Sequence, residues 1–451
     1  MTTHQDNYGM TTSSPAPNTF SGHQTESPTD SYLAAQLYSI LPLLLLVGGD
    51  IVYRALAQAT GNGPAPVSLS FGWVAFSFKS IASLVGERRL MPLPDYSCKV
   101  INLESGYARD NRNWVIGRLL RDNEIHMAKK NEDRPDLGQS LRIAIYEPSP
   151  LQPETHFMKG SHRLATLLQF AVACIPLVLG GHRDVLLLTT FGTAMALITG
   201  WLPQWKAEKL PVQQPNRKRK TIALTAGNGS RDVIVIRNID SHYDLEELST
   251  FEGPHMHRPW HHIGYFTKEV QETGETKPKI KVRTLEGIPL DFLATCFVCI
   301  ALAAGWLLLL GLAVRLQTGS GYLLVVCLIG TAQNCFVAGR SLHPERQPIP
   351  LILCDEILGN KAMDALMDLE VTLEGDPLFV DREGSVVQPL RDIYFPGRSR
   401  MMSGEIEWWA GERNKYDELR LGDKHGNRGT PRSRWFSTTA SKETKASTAN
   451  F

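Results

Sequence analysis

The chain lacks the short patterns that usually betray catalysis. There is no Gly-x-Ser-x-Gly, no His-Glu-x-x-His, no Walker lysine loop and no dinucleotide fingerprint. The commonest hydrolase, metalloprotease, nucleotide and dehydrogenase sites therefore have no starting point in it. Cysteine is scarce: seven residues, five of them (Cys174, Cys296, Cys299, Cys327, Cys335) inside apolar runs. That excludes the paired framework of a disulfide-stapled secreted domain. Residues 1–30 contain no Lys or Arg, so the basic leader of a cleavable signal peptide is missing. This Ser/Thr/Pro-rich stretch is expected to be disordered, with the first apolar run acting as its own insertion signal. Charge of one sign is also missing, since 47 Lys and Arg balance 46 Asp and Glu to a net +1. No nucleic-acid partner and no cofactor are expected.

What the chain has is long apolar runs, at about 33–53, 67–86, 163–181, 185–203, 290–314 and 321–339. Each approaches the roughly 20 residues that cross a hydrocarbon core of about 30 Å. They fall into three pairs joined by short connections at 54–66, 181–184 and 315–320, with long polar stretches between pairs. The pattern predicts an α-helical integral membrane protein with about six transmembrane helices in three hairpins, the lipid bilayer being its first partner. Of the 47 Lys and Arg residues, only Arg54, Arg183 and Arg315 lie in the hairpin connections. The long segments and both termini are therefore expected on the cytoplasmic side. The resulting plan is a tail over 1–31, hairpins over 32–86, 162–203 and 289–340, cytoplasmic loops over 87–161 and 204–288, a C-terminal region over 341–423, and a basic tail over 424–451.

The polar segments carry their own secondary-structure signals. NWVIGRLLRDNE reads as a helix capped by Asp110 or Asn111, docking on the other loops, and RIAIYE as a strand. TIALT and DVIVI flank Gly227-Asn228-Gly229 as the strands of a hairpin, with a helix following at Leu245–Leu248. The third segment reads as an apolar run at Pro350–Cys354 and a helix over Lys361–Glu370. None can bury a core alone, so together they are expected to form one composite α+β cytoplasmic domain.

Ionisable and amide groups inside apolar runs are the leading candidate site: Asp50, Arg54, Lys79, Gln333 and Asn334. Asp50 and Arg54, four apart, share a helical face. The plain expectation is that they cap the outer end of the first span while Lys79 snorkels to the cytoplasmic headgroups. An Asp50–Lys79 pair needs a shifted register. The first pair of runs is the weakest, with Pro42, Gly48-Gly49 and five serines, and a re-entrant hairpin is its alternative form.

Weaker candidates follow. His255, His257, His261 and His262 have the residue type of a zinc or copper site, but Pro254 and Pro259 deny them a fixed face, so a surface loop is expected. Cys296-Phe-Val-Cys299 lies in an apolar run, where no accessible thiolate is expected. Asp364 and Asp368 share a helical face that is expected to meet water or arginines.

Several blocks act as a group: GGDIVYRALAQATG, FGWVAFSF, RLMPLPD, SGYARDNRNWVIGRLLRD, ALTAGNGSRDVIVIRN, TAQNCFVAG and NKAMDALMDLE. Over most of 45–410 the chain resembles a family of uncharacterised multi-pass membrane proteins of filamentous fungi. The resemblance implies a fungal source and a membrane location, and no active site to carry over. The functional expectation is a membrane-anchored scaffold, sensor or regulatory protein with cytoplasmic protein partners. The alternatives are a small-solute or ion transporter or channel, which needs a homo-oligomer, and an enzyme at the membrane interface.

Overall fold

A computed structural model describes residues 48–61, 63–131, 141–149, 156–211, 220–227, 230–237, 244–250, 265–272, 275–282, 284–285, 288–316, 319–359, 361–373 and 401–422. Helix α1 occupies 48–59 and an extended stretch follows over 65–70, leading into α2 (Trp73–Gly86). The first polar segment gives β1 (Lys99–Asn102), β2 (Ala108–Asp110), α3 (Trp114–Asn131) and β3 (Leu141–Pro148). Then come α4 (His156–Gly180), α5 (Asp184–Gly200) and the short α6 (Pro203–Lys209). The second polar segment supplies β4 (Ile222–Thr225), β5 (Asp232–Ile236), α7 (Leu245–Leu248), the β6–β7 hairpin (Tyr265–Glu272, Glu275–Val282), β8 (Thr284–Leu285) and β9 (Ile288–Pro289). Helices α8 (Leu290–Val314) and α9 (Ser320–Gly339) precede β10 (Leu351–Gly359), α10 (Ala362–Leu373), α11 (Ser403–Trp409) and α12 (Arg413–Gly422).

Four helical stretches among the described residues are long and apolar enough to cross a membrane: Met158–Gly180, Asp184–Lys209, Leu290–Val314 and Ser320–Gly339. Their outward faces carry exposed Leu167, Val178, Leu179, Leu187, Phe297 and Leu308, as a lipid-facing surface requires. The other two expected spans are not shown. Helix α2 has 14 residues, about 21 Å at 1.5 Å per residue, short of a hydrocarbon core. The run at 33–53 is described only from residue 48.

A six-stranded mixed sheet, in the order β10-β3-β5-β4-β1-β2, is assembled from all three polar segments. Only β3 and β5 run parallel, with Ile143 opposite Val233, while β4 and β5 form the expected antiparallel hairpin. Alternation divides the strands between two cores. Ala144, Tyr146, Ile222, Leu224, Ile234 and Ile236 pack on α3 and α7; Ile143, Ile145, Ala223, Val233 and Val235 pack on α10. Strands covered on both faces must be apolar throughout, which is why IALT and DVIVI are continuous runs. Helix α3 does dock on the sheet, but its cap is Asn113, whose Oδ1 accepts from the Val115 amide at 2.8 Å, and neither Asp110 nor Asn111. Asp244 caps α7 through the Glu246 and Glu247 amides.

The stretch 54–66, expected as a turn at the end of the bundle away from the polar segments, is different. It remains helical to residue 59 and lies at the sheet-side end. There Gln58 accepts from Trp114 Nε1 of α3 and Lys209 of α6 donates to the Gln58 and Thr60 carbonyls. From that end the chain re-enters the bundle. The Ala65 amide bonds the Gly200 carbonyl, and Leu69 lies against Gly192 of α5 and Gly330 of α9. Those glycines sit eight and nine residues from the sheet-side ends of their helices, a depth of about 12–14 Å. Helix α2 then climbs back along α8, starting with Trp73 stacked on Trp306 at 5.1 Å. The descending limb is extended and the ascending limb helical.

Candidate functional site

The charges of the first two apolar runs meet in one chain of contacts. Gly48 and Gly49 let α1 approach α2 so closely that a Cβ on Gly48 would stand 2.8 Å from the Gly72 Cα. At the next residue, this approach brings Asp50 within reach of both cations: Lys79 Nζ at 2.6 Å and Arg54 Nε at 2.7 Å. Lys79 also lies over the Tyr53 ring at 5.1 Å. The expected separation of Asp50–Arg54 from a snorkelling Lys79 therefore does not hold. Its premise was a turn at 54–66, and α1 continuing to 59 shifts the register. Arg54 leads onward, its Nη1 standing 3.7 Å from Asp95 Oδ2. Asp95 takes a two-pronged contact from Arg118 of α3, at 3.0 and 2.8 Å. Arg118 is 2 % exposed, stacks on Trp114 and donates to the Ala338 carbonyl at the end of α9. Burial pulls its guanidinium down to about 10, and the bidentate carboxylate keeps the charge satisfied. One turn further along α3, Arg121 donates to the Arg340 carbonyl, while Asp122 accepts from the Leu342 amide and Gln347. Helix α3 thus holds the exit of α9 and, through Asp95, the α1–α2 element.

A second cluster surrounds the extended limb. Buried non-helical backbone needs partners that lipid cannot give, and two amides supply them. Asn334 Oδ1 accepts from the Ser68 amide at 2.9 Å, and its Nδ2 donates to the Ser68 carbonyl and Ser70 Oγ. Gln169 Nε2 bridges the Leu69 and Val326 carbonyls, each at 2.8 Å. Trp73 Nε1 also donates to the Ser68 carbonyl. Ser68 Oγ lies 3.0 Å from His162 Nδ1, and Gln333 donates to Ser161 Oγ at 3.0 Å. A Cβ on Gly330 would stand 1.6 Å from the Leu69 carbonyl oxygen, so only glycine admits this backbone. Gln333 thus bonds helix to helix, from α9 to α4, whereas Asn334 bonds the extended limb.

Neighbouring residues of α6 fasten both ends of the element. Glu208 takes the Leu90 and Met91 amides just beyond α2, and Lys209 holds the orphan carbonyls at the end of α1. Gln204 donates to Glu208 at 2.5 Å.

Sequence reasoning missed Gln169, His162, Asp95, Arg118 and the Glu208–Lys209 pair. A lone Gln in the third apolar run was the available signal for the first of these. His255, His257, His261 and His262 lie outside the described residues. Asp364 and Asp368 are buried, and Asp364 accepts from Tyr416 at 2.9 Å, so their face meets protein and not water. Cys296 is half-buried and Cys299 buried, both as free thiols. His126 and His343 meet edge to face at 4.7 Å, but no three metal-ligating side chains group together among the described residues. Comparison with family profiles, with curated proteins and with solved structures found no match to this chain, so the site rests on its geometry alone.

Proposed function

We propose that the chain is an integral membrane protein acting as a scaffold or regulator, in which the re-entrant element and a cytoplasmic sheet domain are mechanically joined. The supporting observation is the contact chain Lys79–Asp50–Arg54–Asp95–Arg118–Ala338. The charged groups of the first two apolar runs, Asp50, Arg54 and Lys79, thereby link helices to the domain through Asp95. The cytoplasmic side follows from the Lys/Arg distribution, and a source among filamentous fungi from the resemblance alone. Six spans stay in this reading only if the run at 33–53 crosses fully and α2 is counted with its extended limb. The experiment is hydrogen exchange on the purified chain carrying Asp95→Asn, paired with proximity labelling from the C-terminal region in the native host. Faster exchange in both 48–59 and the start of α3, with neighbours lost from the labelled set, is the expected result. Exchange confined to the mutated loop, with an unchanged set, refutes it.

Transport is the second reading, favoured by the extended limb inside the bundle, since broken segments of this kind carry solute sites in transporters. Gln169 Oε1 and Thr166 Oγ1, buried on the same helix, have no protein partner among the described residues. Solute flux in vesicles that disappears in Asn334→Ala would favour this reading over the first.

A further inference from the structure

At the junction of bundle and sheet, a small open crevice lies between the residues after α2, α6, the cap of α3 and the end of α7. Two arginines line it, Arg89 and Arg112. Arg89 is 5 % exposed and held in place by its Nε–H to the Met91 carbonyl at 2.7 Å. Arg112 is exposed. Its backbone is fixed by an amide bond to the Ser249 carbonyl at 2.9 Å, but its side chain has no hydrogen bond or ion pair among the described residues. Like charges on one crevice repel. Burial lowers the Arg89 guanidinium from its usual range; Glu208 and Glu87, the latter 3.6 Å from Nε, oppose that shift, and the Arg112 charge adds a smaller push downward. The one carboxylate in the lining, Glu208, already accepts from the Leu90 and Met91 amides and from Gln204.

The crevice also lies at a telling height. Arg89 stands three residues past α2, beside the last turn of the apolar stretch that ends at Lys209. In a bilayer that level is the headgroup layer, where basic pockets between helices take anionic lipids. Two arginines on one crevice match a phosphate monoester, which carries close to two charges and several acceptor oxygens, better than the single charge of a diester.

We propose that Arg89 and Arg112 form a binding site for the phosphomonoester headgroup of an anionic lipid in the sheet-side leaflet. The inference goes beyond the scaffold reading and stands whether or not that reading does. Its test is a titration of the purified full chain with short-chain phosphatidylinositol monophosphate. Short-chain phosphatidylcholine, free inositol phosphate and inorganic phosphate are the comparisons. Saturable binding of the phosphorylated lipid is expected, weakened about tenfold or more in Arg112→Gln, which removes a charge-assisted contact. Arg112→Lys should lose less, and Arg231→Gln, an exposed change on the sheet, nothing. Unchanged affinity in both Arg112→Gln and Arg112→Glu overturns the site. Equal binding of phosphatidylcholine overturns the phosphate class, and equal binding of inositol phosphate or inorganic phosphate overturns the lipid as its source.

Discussion

Replacing Asn334 by Ala should loosen the extended limb without touching any charged group. The side chain makes three contacts there: it accepts from the Ser68 amide and donates to the Ser68 carbonyl and to Ser70 Oγ. They are not equivalent. The Ser68 carbonyl keeps Trp73 Nε1 at 2.9 Å, and the Ser70 hydroxyl can rotate. The Ser68 amide, in a residue 1 % exposed, has no substitute. An orphaned buried donor costs about 1–3 kcal/mol, whereas hydrogen bonds between helices in a bilayer average about 0.6. Because the partner is non-helical backbone, the first range applies, and a loss of about 2 kcal/mol is expected. Unfolding by detergent titration measures it, and hydrogen exchange at Ser68 and Leu69 should rise about thirtyfold for the same free energy. Ser68→Ala, which removes only the hydroxyl facing His162, should cost less. A loss below about 0.5 kcal/mol in Asn334→Ala, or exchange unchanged at Ser68, would refute the view that this amide holds the limb.

Three further outcomes are expected. In sealed vesicles, a cysteine at Pro64 should react with an impermeant thiol reagent from the same face as one at Lys99, and a cysteine at His182 from the opposite face; opposite faces for 64 and 99 would restore a transmembrane hairpin over 33–86. Lys209→Met leaves the Gln58 and Thr60 carbonyls unpaired and should lower stability by about 1–3 kcal/mol, read by the same titration. Burial raises the Glu124 and Asp232 carboxyls above their usual range, so the folded chain keeps protons that the unfolded chain releases. Their contribution is therefore fully present below the ordinary carboxylate pKa and is lost as pH rises through the raised values. Glu124→Gln should flatten that fall, and an unaltered slope would count against it.

Much of the architecture was legible because apolar length and alternation leave few options. Four long runs had to be long helices, and IALT with DVIVI could only be covered strands. The extended limb was hidden for a physical reason: a short apolar run such as VSLSF has no period that separates buried strand from helix. The breakers did speak. Gly61-Asn62-Gly63-Pro64 and Pro66 forbid a helix from continuing, but they suit an outer turn as well as the mouth of a re-entrant segment. The Asp50–Lys79 contact depends on where α1 stops and α2 starts, and boundaries are what sequence patterns fix least. Arg118 and Asp95, 23 residues apart in the chain, carry no local signal at all.

The way the sheet is stitched together has a consequence for how the chain is born. Strand β3 leaves the ribosome before α4 and α5, yet its neighbours β5 and β10 follow only after one and two pairs of apolar helices respectively. Until then β3 offers two open edges, an invitation to wrong partners. Glu208 and Lys209 likewise arrive more than a hundred residues after the Leu90, Met91, Gln58 and Thr60 groups they fasten. Assembly must therefore wait for most of the chain to be inserted, and no single loop, expressed alone, carries the strands to close the sheet.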